Sequence, residues 1–143
     1  MDGLPTRVTA TRTVSDARCW LRQFQGISMK QSPIFTRTYD LLRWLIPVTI
    51  KFPRKQRFVL AEAVQRTALA WQEQLIEAAY SPAPQQKLRE ADVTLTKLRT
   101  YLRLCNDLGL LTSGQYAHVS RMVDEVGRLL GGWMESLKEK PRL

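Results

Sequence analysis

Apolar residues recur along most of this chain at three- and four-residue steps, the period of helices that bury one face. From Ser32 to about Thr49, Phe35, Tyr39, Leu42, Leu45 and Ile46 follow that spacing. Ser32 suits the N-cap and Pro33 the first turn. Pro47 falls late in this run, where it should kink or shorten the helix, and Phe52-Pro53 ends it. A second run, about Arg54 to Tyr80, sets Leu60, Val64, Thr67, Ala68, Trp71, Leu75 and Ala78 on one face. Ser81-Pro82-Ala83-Pro84 breaks it. The third, about Gln85 to Leu108, carries the stripe Leu88, Ala91, Leu95, Leu98, Leu102 and Cys105, with Gly109 placed to cap its end. The fourth, about Ser113 to Lys138, carries Tyr116, Val119, Val123, Val126, Leu130, Trp133 and Leu137. Thr112 or Ser113 caps it, and Arg121, Asp124, Arg128 and Glu135 lie opposite the stripe.

Four amphipathic runs, short connections and no alternating strand pattern specify an all-α fold, an antiparallel four-helix bundle. Two helices carry more apolar surface than one core takes up. Counting about 100° per residue, Phe58, Leu69, Ile76 and Tyr80 form a second arc on helix two. Tyr101, Leu104 and Leu108 widen the stripe of helix three. These seven residues are the expected homo-oligomer interface. In helix four, Gly127, Gly131 and Gly132 each cost about 1 kcal/mol relative to alanine, which points to close approach by another helix.

Residues 1–28 break the pattern: they are rich in Thr and Arg and hold no sustained period. They read as a flexible N-terminal extension, with the bundle domain spanning 29–143. No apolar signal segment follows Arg7 and Arg12, and the stretch Leu41 to Ile50, interrupted by Arg43 and Pro47, is too short to span a bilayer. A cytoplasmic protein with no membrane partner is the expectation.

Candidate chemistry is sparse. Cys19 and Cys105 form no CxxC, and His118 is the sole histidine, so neither a zinc site nor a Glu-x-x-His di-metal site is specified. Phosphate-binding loops and nucleophile elbows are missing as well. Glu73 and Glu77, one turn apart, read as a solvated face. The expected protein is therefore not an enzyme, has no catalytic or metal-binding residues, and needs no cofactor.

Charge is more informative. The chain of 143 residues carries a formal net charge of +9, unevenly spread. Lys51, Arg54, Lys55 and Arg57 fall within seven residues at the first turn. Helix three adds Lys87, Arg89, Lys97, Arg99 and Arg103 against only Glu90 and Asp92. Arg99 and Arg103, four apart, project from one face. Such clusters either neutralise phosphates of a nucleic acid or form solvated helix faces, and charge alone leaves both open.

At several of these residues the sequence resembles the accessory variability determinant (Avd) family of diversity-generating retroelements. The matching pieces are Ser32-Pro33-Ile34-Phe35 with Tyr39-Asp40-Leu41-Leu42, and Lys51-Phe52-Pro53-Arg54-Lys55-Gln56-Arg57-Phe58 in the turn. Further on come Arg89-Glu90-Ala91-Asp92, Leu98-Arg99 with Leu102-Arg103, and Val126-Gly127-Arg128-Leu129-Leu130-Gly131-Gly132-Trp133. They span about residues 30–138 in the family's order.

The resemblance implies a non-catalytic four-helix subunit that assembles into a homopentameric barrel. It also implies partnership with a retroelement reverse transcriptase and its template RNA, in support of mutagenic cDNA synthesis. The surface expected to meet them comprises Lys51, Arg54, Lys55, Arg57, Lys87, Arg89, Arg99 and Arg103. The alternative is a related four-helix protein of the kind encoded in ribosomal RNA intervening sequences, with a structural or RNA-binding role.

Overall fold

A computed structural model describes residues 33–138, and all regular structure among them is helical. Helix α1 covers residues 33–50. Helix α2 begins as the single turn Arg54–Gln56, passes through a π-helical stretch, Arg57–Ala61, and continues as an α-helix over Glu62–Tyr80. Helix α3 is Gln85–Asp107 and helix α4 is Ser113–Lys138. These bounds match the sequence reading to within a residue or two. Pro47 does not end α1, which runs on to residue 50. The N-cap Ser32, Cys19 and the boundary near Met29 lie outside the described residues.

Helix ends follow local chemistry. After α3, the Gly109 N–H donates to the Asn106 carbonyl at 3.0 Å and the Leu110 N–H to the Cys105 carbonyl at 2.9 Å. This is a complete Schellman closure, and Gly109 supplies its left-handed residue at φ 76°. Thr112 then caps α4 reciprocally: its Oγ1 accepts from the Gln115 N–H and its own N–H donates to Gln115 Oε1, both at 3.0 Å.

Contacts between helices set the topology. Trp71 and Gln65 of α2 reach Thr38 and Thr49 of α1, so the two helices run antiparallel. Lys87 of α3 bonds Glu77 of α2 at 3.0 Å across the next turn. Arg99 of α3 pairs with Asp124 of α4 at 3.5 Å. Helix α4 closes the ring on α1 through Arg37–Glu125 at 2.9 Å and through Trp44–His118 and Phe35–Trp133 ring contacts. The result is an up-down-up-down bundle in which each helix touches two neighbours.

The stripes read for α2, α3 and α4 supply the core except for Thr67, Tyr116 and Leu137, which are half-buried. Val64, Ala68, Trp71 and Leu75, then Leu88, Ala91, Leu95, Leu98 and Cys105, then Val119, Val123, Val126 and Leu130 are buried. Helix α1 needs correction. Its buried face is Ile34, Thr38, Leu41, Leu45 and Thr49, whereas Tyr39 is 59% exposed and Phe35, Leu42 and Ile46 are only half-buried. The stripe read from apolar residues alone is rotated because two of the true core positions are threonines. Each pairs its hydroxyl. Thr38 Oγ1 accepts the Trp71 indole N–H at 3.0 Å, and Thr49 Oγ1 accepts from Gln65 Nε2 at 2.8 Å while donating to the Ile46 carbonyl. A buried hydroxyl so paired avoids the roughly 1–3 kcal/mol cost of an unmade bond.

The glycine reading is corrected too. A Cβ at Gly131 or Gly132 would meet nothing within 4 Å, and both glycines are exposed. Only Gly127 has close neighbours, and they are side chains: Arg99 Nη2 at 2.6 Å and Leu95 Cδ2 at 3.3 Å from where a Cβ would stand. Gly131→Ala should therefore stabilise the fold by up to about 1 kcal/mol through helix propensity, raising Tm by a few degrees in a thermal melt. Gly127→Ala should displace the Arg99 guanidinium instead and forfeit that gain. A lower Tm for Gly131→Ala would restore the close-approach reading there.

Candidate functional site

The eight cations expected to act together fall into three groups. Lys51, Arg54, Lys55 and Arg57 form the first, at the end of the bundle where α1 turns into α2, and all four are exposed. Arg99 and Arg103 form the second, on the flank of α3 that faces α4. Lys87 and Arg89 form the third, near the start of α3. Arg89 and Arg103 are separated by about 21 Å along the helix axis at 1.5 Å per residue, so the third group belongs to the opposite end of the bundle.

The groups differ in how far their charge is already spent. Lys87 is half-buried and engages Glu77 at 3.0 Å and Glu90 at 3.6 Å. The carboxylate of Glu77, and then that of Glu90, holds the Lys87 ammonium above the usual lysine range. Arg89 donates to Gln86 Oε1 at 2.7 Å. These contacts give the third group a structural role in closing the α2–α3 turn. Arg99 is partly committed: it pairs with Asp124 and lies over Gly127, where the missing side chain leaves room for the guanidinium. Asp124 and Gly127 are thus the neighbours of Arg99 that sequence spacing along one helix does not reveal.

The first group is different. Among the described residues, no ion pair engages Lys51, Arg54, Lys55 or Arg57. Pro53 provides no side-chain cap to the helix it precedes, and the first turn holds no acidic residue. Arg54 and Lys55 therefore sit in the first turn at the positive pole of α2, where each cation is unfavourable by roughly 0.3–1 kcal/mol, whereas Lys51 directly follows the C-terminal end of α1, where a cation is favourable. Among the described residues, no carboxylate offsets the charge of Arg54 and Lys55.

The cleft between α3 and α4 lined by Arg99, Leu102, Tyr116, Ser120, Val123 and Asp124 measures about 210 Å³, and a cavity lined by Asp40, Arg43, Trp44 and Met122 measures about 310 Å³. Neither includes a residue of the first group. Cys105 is no nucleophile: burial pushes its thiol up to about 11, so it stays protonated. His118 is exposed and rests against the Trp44 ring at 5.1 Å between centroids.

Residues 33–137, nearly all of the described bundle, match the model of the bAvd-like family. The chain belongs to the bAvd-like family. Among curated proteins, none matches it. Within this bAvd-like bundle, the matched region includes all eight cations and all seven residues assigned to an oligomer interface. No helix among the described residues is long and apolar enough to cross a membrane.

The apolar surplus also divides. Gln65 faces α1 through Thr49, and Leu69 and Ile76 follow it at one and three turns, so they line the α1 flank of α2. Beside them run the exposed or half-buried Tyr39, Leu42, Ile46 and Ile50 of α1. Tyr101, Leu104 and Leu108 lie on α3 away from Arg99, hence on the α2 side. Tyr80 is half-buried, and burial raises its phenol. Phe58 does not share the arc of Leu69 and Ile76. A π turn closes i→i+5 and so slips the phase of preceding residues by about 100°, and Phe58 lies within that stretch.

Proposed function

We propose that this protein is the non-catalytic accessory subunit of a diversity-generating retroelement, binding the reverse transcriptase and its template RNA to support mutagenic cDNA synthesis. The observation that carries this reading is the exposed cluster Lys51, Arg54, Lys55 and Arg57, engaged by no ion pair among the described residues, at one end of a bundle of the bAvd-like family. Exposed cations opposed to a helix dipole are what a phosphate backbone neutralises, with release of counterions. Arginine's planar fork suits bidentate contacts to phosphate or to carboxylates of the polymerase. Arg99 and Arg103 extend the contact surface along α3. Phosphate contacts position without reading bases, so no sequence preference is expected. In this reading the subunit acts as a homopentamer, held by the two apolar flanks of α2 and its neighbours.

The test is RNA and polymerase binding over a salt series. Replacing Arg54, Lys55 and Arg57 together by alanine should weaken binding and flatten the salt dependence by about two units of log K per log salt, at roughly 0.7 per phosphate for single strands. Lys87→Ala with Arg89→Ala should change neither. Equal effects from both sets, or none from the first, would sink the assignment of the site.

A further inference from the structure

We infer that the first-turn end of the bundle is a platform for single-stranded nucleic acid, with Phe58 as the stacking surface for an unpaired base. This rests on the polyanion reading above and adds the kind of strand and the residue that selects it.

Phe58 is 75% exposed, more than any other large hydrophobic residue among those described. It stands in the π-helical stretch Arg57–Ala61, beside Arg57 and one turn on from Arg54 and Lys55. π-helical stretches are rare, occur mostly as single-turn bulges within α-helices, and are frequent at functional sites. Here the stretch puts Leu60 and Ala61 into the core while leaving Phe58 and Val59 outside. An exposed phenylalanine invites burial, and the surrounding charge decides against what. Covering it with an apolar protein face would strip water from Arg54, Lys55 and Arg57 without repaying their desolvation. A nucleic acid satisfies both demands: an aromatic base offers its face to the ring and the adjoining phosphates answer the cations. A base within a duplex is already stacked on both faces, so only an unpaired one is free to use Phe58. Single-stranded segments of RNA or cDNA are therefore the favoured partner.

The experiment titrates the full-length protein with a short unstructured single-stranded RNA and with the corresponding RNA duplex, while light scattering follows its mass. Phe58→Ala and Phe58→Leu should each weaken single-strand binding by roughly 5- to 150-fold, the range for one stacked base. Duplex binding and mass should stay unchanged, and Phe58→Trp should restore or exceed wild-type affinity. The leucine variant matters because it keeps an apolar side chain but removes the π face. Wild-type affinity in the leucine variant, an equal loss on duplex, or a changed mass would overturn the stacking role and leave the basic surface standing. Loss of polymerase capture with RNA affinity intact would assign Phe58 to a protein contact and overturn it likewise. If the wild-type protein binds neither strand form, the polyanion reading fails with it.

Discussion

Replacing Trp71 by alanine should cost about 3–5 kcal/mol, the range for deleting a fully enclosed indole. Total stability of a domain this size is on the order of 5–15 kcal/mol, so the variant should melt on the order of 15 °C lower or fail to fold at ordinary temperature. The reason is its place in the bundle. Trp71 is fully buried, sits in the middle of α2 and ties that helix to α1 through the Thr38 hydroxyl at 3.0 Å. Volume and hydrogen bond are separable. Trp71→Phe keeps most of the ring but leaves Thr38 without its donor, and should cost less, about 1–3 kcal/mol. Thr38→Val leaves the indole N–H unpaired at a similar cost. Combining the two removes both partners, so the double variant should be clearly less destabilised than the sum of the singles. Strict additivity in chemical denaturation would show that the indole bond contributes nothing to the α1–α2 packing.

That bond also marks where the sequence is readable and where it is not. Helices α2, α3 and α4 announce themselves because their core positions are almost all apolar, so the 3.6-residue period and the burial pattern coincide. The cap at Thr112 and the left-handed Gly109 follow from local residue types and need no tertiary information. Helix α1 misleads because Thr38 and Thr49 are core residues whose hydroxyls are satisfied only by Trp71 and Gln65 of another helix. No periodicity within α1 contains that fact. The same limit applies to the charged surface. Composition identifies the cations, but which carboxylates answer them depends on helix neighbours. Glu77 engages Lys87 and Asp124 engages Arg99, while among the described residues no carboxylate engages the first-turn cations. The angular count that groups Phe58 with Leu69 and Ile76 assumes an unbroken α-helix, and the π stretch alters that count. For Gly131 and Gly132 the composition cue has no packing behind it, and the structure supplies no physical account of why alanine is not there.

Assembly should be abolished by a single charge on either apolar flank. The first flank joins Leu69 and Ile76 of α2 to Tyr39, Leu42, Ile46 and Ile50 of α1; the second joins Tyr101, Leu104 and Leu108 of α3. They lie on different sides of α2 and differ in shape and composition, so they are not one self-complementary patch. A two-fold dimer needs the same surface on both copies, whereas two unlike surfaces that meet head to tail generate a closed ring. In the proposed homopentamer each copy then offers its first flank to one neighbour and its second to the other. Leu69→Asp and Leu104→Asp each bury an unpaired carboxylate in that contact, a cost of several kcal/mol per interface. Each variant alone should therefore run as a monomer in size exclusion with light scattering, with its helical content intact. Mixing the two at equal amounts restores one intact interface, between the good first flank of one and the good second flank of the other. The mixture should give a dimer and stop there, because the remaining flanks are both spoiled. A two-fold dimer built from a single self-complementary patch has no such outcome: one of the two variants would keep the full wild-type mass, and the mixture would show no species absent from the separate samples. A monomeric wild-type protein at micromolar concentration would remove the assembly altogether and leave the exposed leucines to the polymerase contact.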